Sequence, residues 1–248
     1  MEWMDHGIVL SARRYGESSV VLSVLTEAHG QHAGLVRGGQ SRRRRGVLEP
    51  GNLVAVIWRA RLEEHLGSYT VELETSYAAR FFDQADRLAA LTSLCATLDN
   101  CLAEREAHPQ LFSDTLHLIH DLEKAEFGLR YVMWELELLG ELGFGLDLSS
   151  CAATGVVDNL IYVSPRSAQA VSRDAGAPYR DKLLRLPSFL KGEASSSVAE
   201  ILDGLRLTGY FLDRHVFQPQ ERRLPDARDR FVNLMRRAAE KNLPDTGP

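Results

Sequence analysis

The first 75 residues fall into short apolar runs cut by turn residues, and from about residue 78 apolar positions recur every three or four. The two periods belong to different backbones, because alternate residues share one face of a strand while a 3.6-residue repeat lines one side of a helix. The early runs are Gly7 to Ala12, Ser19 to Leu25, Gly30 to Val36, Val54 to Trp58 and His65 to Thr75. Between them stand Arg14-Tyr15-Gly16-Glu17, Glu27-Ala28-His29-Gly30 and Glu49-Pro50-Gly51-Asn52, which carry turn chemistry. Five short strands are few for two packed sheets and suit a small barrel.

The helical period first runs through Leu88, Leu91, Leu94, Cys95, Leu98 and Leu102, then through Leu111, Leu116, Ile119 and Leu122, with Pro109 opening the second helix. A third helix is predicted from about Glu126 to Leu142, with Leu129, Val132, Met133, Leu136 and Leu139 as its stripe, ended by Gly143-Phe144-Gly145. Residues 146–178 break the pattern at Gly155, Asp158-Asn159, Pro165, Gly176 and Pro178, leaving one short strand at Leu160 to Val163. Helices resume at Tyr179 to Leu184, Ser197 to Asp203, Leu205 to Phe217 and Ala227 to Lys241. The expected class is α+β: a five-stranded barrel over residues 1–77, then an all-α domain over 78–248 with a small irregular insert at about 146–178.

Charge adds a functional direction. The chain has a net charge of −5, yet residues 1–80 hold ten Lys/Arg against nine Asp/Glu, and residues 81–248 hold 19 against 25. Within the first part, Arg37, Arg42, Arg43, Arg44 and Arg45 fall in nine positions, with no acid before Glu49. The segment joins two predicted strands, so it reads as a flexible cationic loop. Guanidinium groups placed this way release condensed counterions from a phosphate backbone. Arg59 and Arg61 alternate on the following strand and extend the patch, and Arg13-Arg14 form a second basic pair. Arg37, Arg42 to Arg45, Arg59 and Arg61 are therefore the candidate nucleic-acid contacts. Trp58 and Tyr69 are candidate stacking residues that read better as core, which predicts binding mainly to phosphate, with little sequence preference and steep salt dependence.

Other chemistries find less support. No Gly-x4-Gly-Lys-Ser/Thr phosphate loop accompanies Arg37-Gly38-Gly39, and the barrel region has no Asp-rich cluster to hold the magnesium of a nuclease. His117, His120 and Glu123 recur every three residues, as an exposed polar helix face does. The expectation is a binding protein, not an enzyme, without a cofactor. An RNA-binding adaptor is the alternative reading. Three cysteines make no disulfide framework, no secretory signal opens the chain, and no run approaches the roughly 18 apolar residues of a membrane span. A cytoplasmic protein without a membrane partner is expected.

The insert has its own pattern. Cys151-Ala152-Ala153-Thr154-Gly155 and Ser172-Arg173-Asp174-Ala175-Gly176 look like the two halves of a zinc knuckle with three ligands replaced. Thr154, Ser172 and Ala175 are no substitute for anionic sulfur, so no metal is expected there.

Taken in order, several segments resemble the RecO family of bacterial recombination mediators over nearly the whole length. They are Gly7-Ile8-Val9-Leu10, Tyr15-Gly16-Glu17-Ser18-Ser19, His32-Ala33-Gly34-Leu35-Val36-Arg37-Gly38-Gly39, Leu48-Glu49-Pro50-Gly51-Asn52, the stretch from Glu135 to Leu148, and Tyr162-Val163-Ser164-Pro165-Arg166-Ser167. The resemblance implies an N-terminal OB-fold and a helical C-terminal domain, with a four-cysteine zinc site in many relatives. It also implies binding of single- and double-stranded DNA, annealing of complementary strands, and association with RecR and the single-strand-binding protein in helping to load RecA. This chain departs from that pattern at the zinc ligands.

Overall fold

A computed structural model describes residues 1–192 and 197–241. Strands β1 (Glu2–Tyr15), β2 (Ser19–Thr26), β3 (Gly30–Val36), β4 (Leu53–Arg59) and β5 (Ser68–Thr75) close into a barrel in the order β1-β2-β3-β5-β4. Every pairing is antiparallel except β3 with β5, which run parallel at Leu35 and Ser68. This is the OB arrangement expected for the N-terminal part.

One long strand makes the closure possible. The first half of β1 pairs with β4, from Glu2 opposite Arg59 to Ile8 opposite Leu53, and its second half pairs with β2 up to Tyr15 opposite Ser19. The register shifts between Val9 and Ser11, and such a bulge bends a strand from one partner to the next. The apolar pattern located only the middle of β1, Gly7 to Ala12, because the flanking residues pair through their backbone while their side chains keep no apolar alternation.

The barrel core is filled by Val9, Val20, Leu22, Val24, Val36, Leu48, Val54, Val56, Trp58, Tyr69 and Val71. Trp58 and Tyr69 are core residues, and their rings are not available to bases. Trp3 stacks on His29 with centroids 4.0 Å apart, and His32 meets Trp58 edge-on at 4.9 Å. The Tyr69 hydroxyl lies 3.1 Å from His32 Nδ1. Burial, helped by the Arg105 charge, holds the His32 imidazole down at about 4.

Two short elements follow or interrupt the barrel: α1 (Arg42–Val47), between β3 and β4, and α2 (Tyr77–Arg80), after β5. Helices α3 (Ala85–Cys101) and α4 (Pro109–Asp121) complete the first of two compact units, Met1–Leu122 with Pro225–Phe231. In that unit α3 packs on β1, Gln31 Nε2 donates to the Asp99 carbonyl at 3.1 Å, and the Asp99 carboxylate pairs with Arg13 at 3.1 Å. Gly30 has a φ of +64°, and a Cβ there would fall 1.8 Å from the Glu106 carbonyl oxygen. Only glycine permits that approach.

The second unit, Glu123–Leu224 together with Val232 onward, holds α5 (Phe127–Glu141), β6 (Leu160–Val163), β7 (Ala170–Ser172), α6 (Arg173–Gly176), β8 (Leu184–Arg185) and α7 (Val198–Leu212). The last helix, α8 (Asp226–Lys241), contributes residues to both units. The buried Glu135 carboxylate on α5 accepts a hydrogen bond from the Thr208 hydroxyl on α7. A helix break near residue 204 was expected, but α7 is continuous and runs on into a π-helical turn at Asp213–Phe217. Gly204 is there for close packing: a Cβ would meet Val132 Cγ1 at 2.8 Å.

The insert is more ordered than its sequence pattern indicates. Its strands form a three-stranded sheet in the order β7-β6-β8, and the helix expected at Tyr179 to Leu184 is a 3-10 turn, Ala177–Lys182, leading into β8. Among the described residues, no helix is long and apolar enough to cross a membrane.

Candidate nucleic-acid interface

The arginine segment is a braced helical turn, not the flexible loop expected from its composition. Arginine is a good helix former, and Ser41 accepts from the Arg45 N–H at 3.0 Å. Six residues are too few for a helix to stand alone, and α1 has no acid in its first turn to favour its N-terminus. Tertiary bonds supply what is missing. Arg44 Nη1 donates to the Val71 carbonyl at 3.1 Å, Arg45 Nε to the Gln40 carbonyl at 3.0 Å, and Asn52 Nδ2 to the Gly46 carbonyl at 2.8 Å, while Leu48 inserts into the core. The sequence did not show the helix because its residues carry no apolar period.

The brace divides the arginines by role. Arg44 is half-buried and Arg45 is held by its Nε, whereas Arg37, Arg42 and Arg43 are exposed and make no side-chain hydrogen bond or ion pair among the described residues. Arg14 and Arg45 line one hollow of about 220 Å³ together with Gln40 and Glu49. Its neighbour Arg13 is on the other face of β1, tied to Asp99. The predicted basic pair is therefore split.

Arg59 and Arg61 are also separated. β4 ends at Arg59, so Arg61 stands in the β4–β5 turn and does not alternate on the strand. Arg59 pairs with Glu2 at 2.8 Å; that carboxylate raises the guanidinium, and the guanidinium lowers Glu2. The outward row containing Arg59 is followed by Met4–Ile57–Thr70 and then His6–Ala55–Glu72, with Glu74 2.7 Å from His6. Through Ser68, Arg59 stands two strand spacings, about 10 Å, from the end of β3 that leads to Arg37.

One exposed aromatic was missed by the sequence reading. Tyr15, at the end of β1, is 59% exposed. It stands in the sequence within turn material and a family-like segment, and no periodic signal marks an aromatic that faces solvent at a strand end.

The knuckle-like segment keeps its shape with different chemistry. The Gly155 N–H donates to the Cys151 carbonyl and the Cys151 N–H to the Val156 carbonyl, both at 2.8 Å, making a tight turn around the sulfur. The Ser172 N–H donates to Cys151 Sγ at 3.3 Å. Burial pushes this thiol up, but hydrogen bonding by Ser172, Thr154 and the Ala153 backbone outweighs it and brings the sulfur to about 6. Of the residues at the replaced ligand positions, Ser172 and Thr154 favour the thiolate by hydrogen bonding and Ala175 has no ligand atom; they make no cage for a cation and do not fit zinc. Removing the acceptor in Cys151→Ala is expected to cost about 1–3 kcal/mol, seen as a lower urea midpoint. A chelator should leave the wild-type midpoint unchanged; a midpoint that falls with chelator would contradict the hydrogen-bonded knuckle.

Two other features of the sequence have ordinary surroundings. His120 Nε2 lies 2.8 Å from the Tyr77 hydroxyl, and no group of three His, Cys, Asp or Glu side chains among the described residues is placed to hold a metal. Cys95 and Cys101 are buried thiols that burial raises, Cys101 to about 12.

A closed barrel of this strand order, carrying a braced arginine turn and followed by a helical region, defines the class as an OB-fold protein with a helical domain. Residues 1–77 match the family described as Recombination protein O N terminal, and residues 83–224 match Recombination protein O C terminal. The chain is 54% identical over 240 residues to the DNA repair protein RecO of Rhodospirillum centenum, covering 96% of each. It is 48% identical over 245 residues to that of Rhodospirillum rubrum, covering 96% of this chain and 97% of the relative. With the RecO of Mesorhizobium japonicum it shares 48% over 240 residues, covering 96% and 94%. The chain belongs to the RecO family of DNA repair and recombination proteins.

Proposed function

We propose that this chain is a recombination mediator that binds single- and double-stranded DNA and anneals complementary strands by lowering phosphate repulsion. With RecR, it helps load RecA on DNA coated by the single-strand-binding protein. It acts by binding and not by catalysis. Family membership supports the role in repair, and the braced arginine turn supports the mechanism. Four consecutive guanidinium side chains on a rigid barrel connection keep positive charge fixed where two polyanions must meet. Arg37, Arg42 and Arg43 are the leading phosphate contacts, Arg44 and Arg45 both contact and anchor, and Arg59 and Arg61 extend the surface. The working division falls at residue 77, with the acidic remainder, residues 78–248, meeting protein partners.

The test is annealing of complementary strands, each coated with single-strand-binding protein, with and without RecR. The protein should accelerate duplex formation several-fold over spontaneous pairing, and RecR should alter the RecA loading that follows. A chain that leaves coated strands unpaired would remove the annealing role. Binding to RNA at least as tight as to DNA of matched sequence and salt would favour an RNA adaptor.

A further inference from the structure

Three hydrogen bonds attach the β1–β2 turn to the start of the arginine segment. Gln40 Nε2 donates to the Gly16 carbonyl at 3.0 Å and to the Ser19 carbonyl at 2.9 Å, and the Gln40 N–H donates to the Ser18 carbonyl at 3.0 Å. The turn that carries Tyr15 and the turn that carries the arginines are thus one rigid assembly. Strand alternation places Tyr15 on the same face as Arg13, opposite Arg14. On that outer face the next row runs Arg13–Val21–Leu35 across β1, β2 and β3, and both Val21 and Leu35 are half-buried. Arg37 follows two residues beyond Leu35, and the Leu35 N–H donates to Gly67 at the end of the β4–β5 turn.

The face therefore has an apolar strip, Val21 and Leu35, with an exposed aromatic ring at one end, the Asp99-paired Arg13 in its row and the exposed Arg37 two residues beyond Leu35. The Tyr15 hydroxyl has no hydrogen bond and its ring no aromatic partner among the described residues. An aromatic ring so presented stacks on bases without regard to sequence, but only on bases free of their own stack.

We propose that Tyr15 is a base-stacking residue that gives the barrel its preference for unpaired DNA, with Val21 and Leu35 as the floor beside it. The inference rests on the barrel being the DNA-binding surface. Phosphate contacts hold single strands and duplexes alike, and Tyr15 adds a contact that only an unpaired strand can make. During annealing it lets go as each base finds its complement, so the product duplex is held less firmly than the reactant strands.

The test compares three ligands of equal length at one salt concentration by fluorescence anisotropy: a single strand, the same strand with abasic residues, and a duplex. Tyr15→Ala should weaken the single strand by about 5- to 150-fold, and leave the abasic strand, the duplex and the salt slope unchanged. Tyr15→Trp should keep single-strand affinity, because a larger ring stacks as well. Equal losses on all three ligands would give Tyr15 a structural role and overturn the proposal, as would no loss at all. The Arg42→Ala/Arg43→Ala protein is measured beside it and should weaken all three. If that variant weakens none, the barrel surface itself is misassigned, a failure distinct from that of Tyr15.

Discussion

Replacing Arg42 and Arg43 with alanine is expected to lower affinity for a single-stranded oligonucleotide about 25-fold at 0.1 M monovalent salt. The figure follows from counterion release, about 0.7 ion per phosphate neutralised on a single strand, so two lost contacts remove about 1.4 powers of ten at that concentration. The pair is chosen because both side chains are exposed and make no hydrogen bond or ion pair among the described residues. Their removal takes away charge without taking away structure. Arg44→Ala/Arg45→Ala should differ in kind. It frees the Val71 and Gln40 carbonyls of their guanidinium partners and loosens the α1 brace. That variant loses affinity and also gives up protease resistance in the β3–β4 connection, which limited proteolysis would reveal.

The second large effect is on stability. His32 is held near 4 in the folded barrel, mainly by burial and then by the Arg105 charge, against an ordinary value of 6.5. Between those values the unfolded chain takes up a proton that the folded barrel refuses, so the unfolded state gains as pH falls. The contribution of His32 is fully present above pH 6.5 and is lost as pH drops from 6.5 to 4, by about 3 kcal/mol at 1.36 kcal/mol per unit. Urea unfolding followed by tryptophan fluorescence at pH 7.5 and 4.5 measures it, with His32→Phe as the control. The variant should show a clearly shallower decline across this window. A variant that declines as steeply as wild type would show that carboxylates, and not His32, set the acid limit.

What could be read from the sequence follows from where periodicity exists. The five strands, α3 and α4 were legible because each buries a regular stripe, such as Leu91, Leu94 and Leu98 on α3. Helix α5 was located, but its buried face is Phe127, Tyr131, Trp134, Glu135 and Leu138, and Met133 of the expected stripe is exposed. Strands β7 and β8 were not, since three and two residues hold no period. Gly204 was misread as a break because composition does not distinguish a stop from a close helix contact. The arginine segment was located at once by charge, but its helical form depends on partners as distant as Val71, which no local pattern contains. The same limit explains Arg59, whose pairing with Glu2 comes from barrel closure across 57 positions, and Tyr15, whose place beside the arginines depends on Gln40.

The salt dependence of single-strand binding, compared between wild type and Arg42→Ala/Arg43→Ala, bears most directly on a charge-based interface on the barrel. The logarithm of affinity against the logarithm of salt should be linear for both proteins, with the slope of the variant shallower by about 1.4. Equal slopes, or equal affinities throughout, would contradict it and place DNA elsewhere on the chain.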